Sequence, residues 1–123
     1  MNIPDNLLYT KDHEWVKITD DIATIGITDY AQSELGDIIF IEFPELNDTF
    51  QNEDILGTIE AVKTVADLFS PISGKVIEVN SKLENEPELT NNDPYENGWI
   101  IKMKIDNKDS SNLLTSKEYE KLI

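Results

Sequence analysis

Lys63 is the only cation in the segment Gly57–Gly74, with Glu60 ahead of it and Asp67 behind. Lysines in such settings are most often surface residues whose flexible stem holds a solvated charge. The chemical alternative is acylation. An ammonium group becomes an amide nucleophile only after losing its proton, and an ordinary pKa of about 10.4 means that an external enzyme must activate the acyl group and bind the lysine. Composition leaves both readings open. His13, the single histidine, stands beside Glu14 and Trp15 and invites comparison with a general base. That chemistry needs a geometry which adjacency does not supply, so a structural use is the simpler expectation.

Other chemistries are closed by composition. With one histidine and no cysteine, zinc and iron–sulfur sites lack their preferred ligands and thiol catalysis is impossible. No stretch has the spacing of a calcium loop, so no metal site is expected. Ten lysines against 25 acids give a net charge of −15, and arginine is absent. Such a surface repels nucleic acid, and the bidentate fork that commonly grips phosphate is missing. Residues 1–62 hold 2 lysines and 14 acids, and residues 63–123 hold 8 and 11, a split that either steers a basic partner or reflects a solvated acidic surface. The longest apolar run, Ile38 to Ile41, is far short of the roughly 18 residues that span a bilayer. The N-terminus has neither a basic, apolar secretory leader nor an arginine-rich transit segment, so a cytoplasmic location is expected.

The elements that must position Lys63 are mainly strands. At 123 residues and 14.0 kDa the chain fits one domain, residues 1–123, with enough apolar content for a core without staples. Runs rich in β-branched residues predict strands at Trp15–Ile18, Ile22–Ile27, Ile38–Phe43, Ile55–Val62, Val76–Val79 and Trp99–Ile105. In the last, Ile101, Met103 and Ile105 alternate with Lys102 and Lys104 as a half-buried strand should. Turn formers punctuate the runs at Asp20–Asp21, Asn47–Asp48, Ser73–Gly74 and Asn97–Gly98, which favours an antiparallel arrangement. Two short helices are expected. One runs over Asp29–Leu35, capped by Asp29 with Gln32 reaching back and closed by Gly36; the other follows a Thr115/Glu118 capping box, with Leu114 stapled against Tyr119. A faint echo relates Gly36–Glu42 to Gly74–Asn80 and Pro44–Leu46 to Pro87–Leu89, at offsets of 38 and 43. Unequal offsets argue against a solenoid but are compatible with two similar halves, or with chance.

Several separated motifs, in order along essentially the whole chain, resemble the H proteins of the glycine cleavage system. They are Tyr9–Val16 (YTKDHEWV), Ile25–Ala31 (IGITDYA) with Leu35–Asp37, the segment Gly57–Gly74, and Asn92–Trp99 (NDPYENGW). The resemblance implies an all-β barrel-sandwich hybrid of two facing sheets with the helices at its periphery and Lys63 on a tight turn. It implies lipoate joined covalently to Lys63, with Glu60 and Val62 forming the attachment motif, and Glu14 and Asp67 as neighbours of the docked arm. Ala61 and Ala66 stand where many members carry serine, and Phe69 where tyrosine is common.

The resemblance further implies a non-catalytic carrier. Its partners would be the glycine decarboxylase (P protein), the aminomethyltransferase (T protein), dihydrolipoamide dehydrogenase (L protein) and lipoylating enzymes, with neither nucleic acid nor membrane among them. The sulfur would arrive on the cofactor, which removes the objection raised by the missing cysteines. Three other readings compete: an H-like relay that donates lipoyl groups in lipoate metabolism, a biotinyl carrier, and an unmodified acidic interaction module. The second is disfavoured because Val62 and Thr64 replace the methionines expected around a biotinylated lysine.

Overall fold

A computed structural model describes residues 1–105 and 112–123. The β-branched runs form strands β2 (Glu14–Thr19), β3 (Ile22–Ile27), β4 (Ile38–Glu42), β6 (Ile55–Ala61), β8 (Gly74–Val79) and β9 (Ile101–Lys104), each close to its expected limits. Three short strands had no comparable signal: β1 (Leu8–Tyr9), β5 (Thr49–Phe50) and β7 (Val65–Phe69). The first two span two residues each, and β7 is an edge strand whose exposed face carries Asp67, so none shows a sustained apolar pattern.

All pairings are antiparallel. One sheet has the order β1-β2-β3-β9-β8-β5 and the other β4-β6-β7, and they are not closed into a barrel. The sheets pack face to face. Their shared core takes Ile25, Ile101, Met103 and Val76 from the larger sheet and Ile41, Ile59, Leu56 and Leu68 from the smaller. Fully burying one such side chain is worth roughly 1.5–3 kcal/mol, so this layer dominates the stability of the fold. The two echoing strands, β4 and β8, lie in opposite sheets.

The outer face of the larger sheet is covered near β1 and β2 by the C-terminal helix. Tyr9, Trp15 and Tyr119 form a second cluster there, with the Tyr9 and Tyr119 rings stacked at 4.8 Å. Trp15 lies across its cross-strand partner Gly26, where a Cβ would fall 2.6 Å from the indole. Only glycine admits that approach, and the indole Nε1 then donates to the carbonyl of Pro94 at 3.0 Å.

Four helices are present among the described residues: α1 (Asp29–Leu35), the single turns α2 (Lys82–Asn85) and α3 (Leu89–Asn92), and α4 (Ser116–Leu122). The expected pair is there, and α2 and α3 are additions too short for a 3.6-residue pattern. One cap differs from expectation. Thr28, not Asp29, caps α1 by accepting from the Ala31 N–H, while Asp29 accepts from the Gln32 side chain at 2.8 Å inside the first turn. The Thr115/Glu118 capping box on α4 forms in full, and Leu114 packs with Tyr119.

Candidate functional site: a lysine hairpin opening on a cleft

Strands β6 and β7 are joined by residues 62–64 alone, and Lys63 occupies the tip. The turn closes with the Ala61 N–H donating to the Thr64 carbonyl at 2.8 Å. It is also tied sideways, because the Val62 N–H donates to the Asp37 carbonyl at 2.9 Å. Lys63 and its neighbours Val62 and Thr64 are exposed, and none of the ion pairs among the described residues engages Lys63.

The segment beneath the hairpin is held from α3. Asn91 accepts from the Ile38 N–H at 2.9 Å and donates to the Gly36 carbonyl at 2.8 Å and to the Gln32 side chain at 3.1 Å. Gly36 has φ +77° and ψ −156°, a region open essentially to glycine alone. The lysine stem lies over it, with Cε 3.5 Å from where a Cβ would stand. Gly36 thus ends α1, turns the chain and leaves room for the Lys63 side chain. Sequence reasoning found Gly36 but missed Asn91, since its role depends on α3 meeting α1 in space.

Beside the hairpin, α1 and β7 enclose a cleft of about 290 Å³. Ala31 and Leu35 line it from the helix, Ile59, Ala66 and Leu68 from the small sheet, and Glu14 from β2. The pairing of Glu14 with Ile27, in step with Val16 and Ile25, puts Glu14 on the inward face of its sheet, where the alternation otherwise places aliphatic residues. It is 2% exposed. One carboxylate oxygen accepts from the Thr10 hydroxyl at 2.7 Å and the other from the Phe69 N–H at 3.1 Å. Burial raises its pKa to about 7, against the opposing pull of those two hydrogen bonds. Glu14 is thus the buried one of four carboxyls lining the cleft, with Asp12, Glu34 and Asp67 exposed around it, and it gains from a cationic neighbour.

His13 also lines the cleft, with φ +68° and its ring 4.8 Å from that of Tyr30. Its Nδ1 lies 2.8 Å from the Tyr119 hydroxyl, which is equally 2.8 Å from the Thr28 hydroxyl. Burial lowers the His13 pKa. The histidine is thus a wall residue tied to the C-terminal helix.

Lys63 precedes β7 by two residues and Glu14 meets Phe69 at the far end of that strand, at most roughly 20 Å of extended chain away. Asp67 belongs to the cleft rim, but it is exposed and shares an outward-facing row with Thr58 and Glu42, so the two acids sit at different depths. Glu60 is half-buried on the outer face, between Phe40 and Val65. No group of three or more His, Cys, Asp or Glu among the described residues could hold a metal ion.

Residues 7–123 match the family model described as glycine cleavage H-protein. The chain belongs to that family. It is 52% identical over 124 residues to the glycine cleavage system H protein of Listeria monocytogenes, covering 100% of this chain and 99% of the relative. It is likewise 52% identical over 122 residues to that of Listeria welshimeri, covering 98% of each. The crystal structure of a glycine cleavage system H protein from Mycobacterium marinum superposes with a TM-score of 0.90 at 36% identity, covering 97% of both chains. The expected fold is the observed one, two facing sheets with peripheral helices. As an H protein the chain is a lipoyl carrier subunit of the glycine cleavage system, not a catalyst. An exposed lysine beside a cleft lined by aliphatic side chains and by carboxyls, of which Glu14 alone is buried, fits an apolar arm with a cationic load. No helix among the described residues is long and apolar enough to cross a membrane.

Proposed function

We propose that Lys63 is the lipoylated residue of a single carrier domain spanning residues 1–123, with Glu60 and Val62 presenting it to the lipoylating enzyme. The arm receives the aminomethyl group at the glycine decarboxylase, delivers it to the aminomethyltransferase and is reoxidised by dihydrolipoamide dehydrogenase. The cytoplasm as the place of work belongs to the same proposal. When attached, lipoate supplies the dithiolane sulfur that this cysteine-free chain lacks.

The residues then act as shelter. Ala31, Leu35, Ile59 and Leu68 exclude water along the stem, and Glu14 holds the ammonium end by a charge-assisted hydrogen bond, with Asp67 adding negative charge at the rim. The observation that carries this reading is Glu14, a buried carboxylate in the wall of the cleft beside the lysine hairpin. It also favours aminomethyl transport over lipoyl relay, because a relay has no need of a buried anion. Lipoylation followed by intact mass and peptide mapping tests the attachment: one lipoyl adduct on Lys63 is expected, and none on Lys63→Arg. Glycine–bicarbonate exchange with the decarboxylase tests the role. A lipoylated protein that fails to support exchange would be a relay.

A further inference from the structure

The outer face of the β4-β6-β7 sheet is unusually apolar around the hairpin. Register places Phe40, Glu60 and Val65 in one cross-strand row, with Ile39 pushed outward by the irregularity between Ile38 and Phe40. Ile39, Phe40, Val62 and Val65 are 54%, 51%, 72% and 60% exposed. Exposed apolar side chains that adjoin one another, rather than lying scattered singly, are the kind of surface that interaction sites use. The next row outward is acidic, with Glu42 and Asp67 on either side of Thr58, and Asp37 lies exposed beside the turn. Residues 29–42 and 55–69, which supply α1 and the whole small sheet, contain six carboxylates and Lys63 as their single cation.

We infer that this face is the docking surface for the lysine-acylating enzyme, and that the enzyme's complementary surface is an apolar patch rimmed by basic residues. The inference rests on the acylation of Lys63 proposed above. Distance selects the occupant. Enzymes acting on a loaded arm meet their target a full arm's length from Nζ, whereas the enzyme that forms the amide brings its acyl donor to Nζ itself. Its surface must therefore cover the flanking side chains, and those are Val62, Val65, Phe40 and Ile39. In that step the neutral Nζ attacks the activated acyl carbon, the amide C–N bond forms as the bond from that carbon to the activating group breaks, the group leaves with the electron pair, and the proton lost by Nζ passes to it or to solvent.

The double variant Phe40→Thr/Val65→Thr removes apolar surface while keeping strand-compatible residues, and Glu42→Lys reverses one rim charge. Purified lipoate–protein ligase with lipoyl adenylate is the probe, and intact mass gives the rate of adduct formation on the apo-protein. Each variant is expected to lower kcat/KM for acylation by about tenfold, with the Glu42→Lys deficit shrinking as salt rises. Variants lipoylated to completion should support glycine–bicarbonate exchange within about twofold of wild type. Acylation at the wild-type rate in both variants overturns the docking surface. An equal loss of acylation and exchange does so too, since it assigns the face to the arm's users or to hairpin integrity. Wild-type protein that accepts no lipoyl group instead overturns the acylation reading itself.

Discussion

The hydroxyl of Thr10 donates at 2.7 Å to the carboxylate of Glu14, a residue 2% exposed in the wall of the cleft. One hydroxyl and the Phe69 N–H lessen the cost of burying the charge without removing it, so the carboxyl holds its proton up to about 7.

That shift makes stability depend on pH. The folded state binds the Glu14 proton more tightly than the unfolded chain does, so stability falls as pH rises from the ordinary carboxylate range through about 7 and levels off above it. His13 acts in the opposite sense at the acidic end, since its lowered pKa adds stability as pH rises toward its ordinary value. The difference between Glu14→Gln and wild type isolates the carboxyl. Urea unfolding at pH 5 and pH 8 should show the variant gaining on wild type by on the order of 3 kcal/mol between the two, and a constant difference would refute the assignment.

The same substitution should expose the load. Removing a hydrogen bond to a charged group costs roughly 1.5–3 kcal/mol, which corresponds to hydrolysis of the aminomethyl-loaded arm about tenfold faster or more. Ammonia release from isolated loaded carrier measures it, and an unchanged rate would place the load elsewhere than beside Glu14.

Tyr119→Phe keeps the stack on Tyr9 but deletes the hydroxyl shared by His13 and Thr28. Leaving these partners unsatisfied should cost about 1–3 kcal/mol in denaturant unfolding. The His13 ring resonances should also move, because its Nδ1 loses its partner.

Gly36→Ala forces a side chain into a backbone region that disfavours it and into van der Waals contact with the lysine stem. A stability loss of about 1–3 kcal/mol is expected, together with slower acylation of Lys63 read by mass. Full stability would mean that the backbone there is free to relax.

Asn91→Ala leaves the Ile38 N–H and the Gly36 carbonyl without their side-chain partner. The strap from Asp37 to Val62 should loosen, and hydrogen exchange at the Val62 amide should rise before that of the core strands β3 and β9. Exchange unchanged at Val62 would show that the hairpin holds itself.

By itself the sequence determined the strand-rich, antiparallel character, the C-terminal helix with its capping box, the glycine that ends α1, and the lysine segment. These are local properties, carried by β-branched runs, a Thr/Glu pair three residues apart and a φ that only glycine accepts readily. The tertiary structure decided what the charges do. Glu14 is one acid among 25 until strand register turns it inward opposite Ile27, and Asp67 faces outward because the β6–β7 pairing puts it level with Thr58. Asn91 becomes a brace only because α3 packs against α1, and His13 meets Tyr119 across a separation of 106 residues. Burial and long-range contact set hydrogen-bond partners and proton affinity, and neither is written in a residue's immediate neighbours.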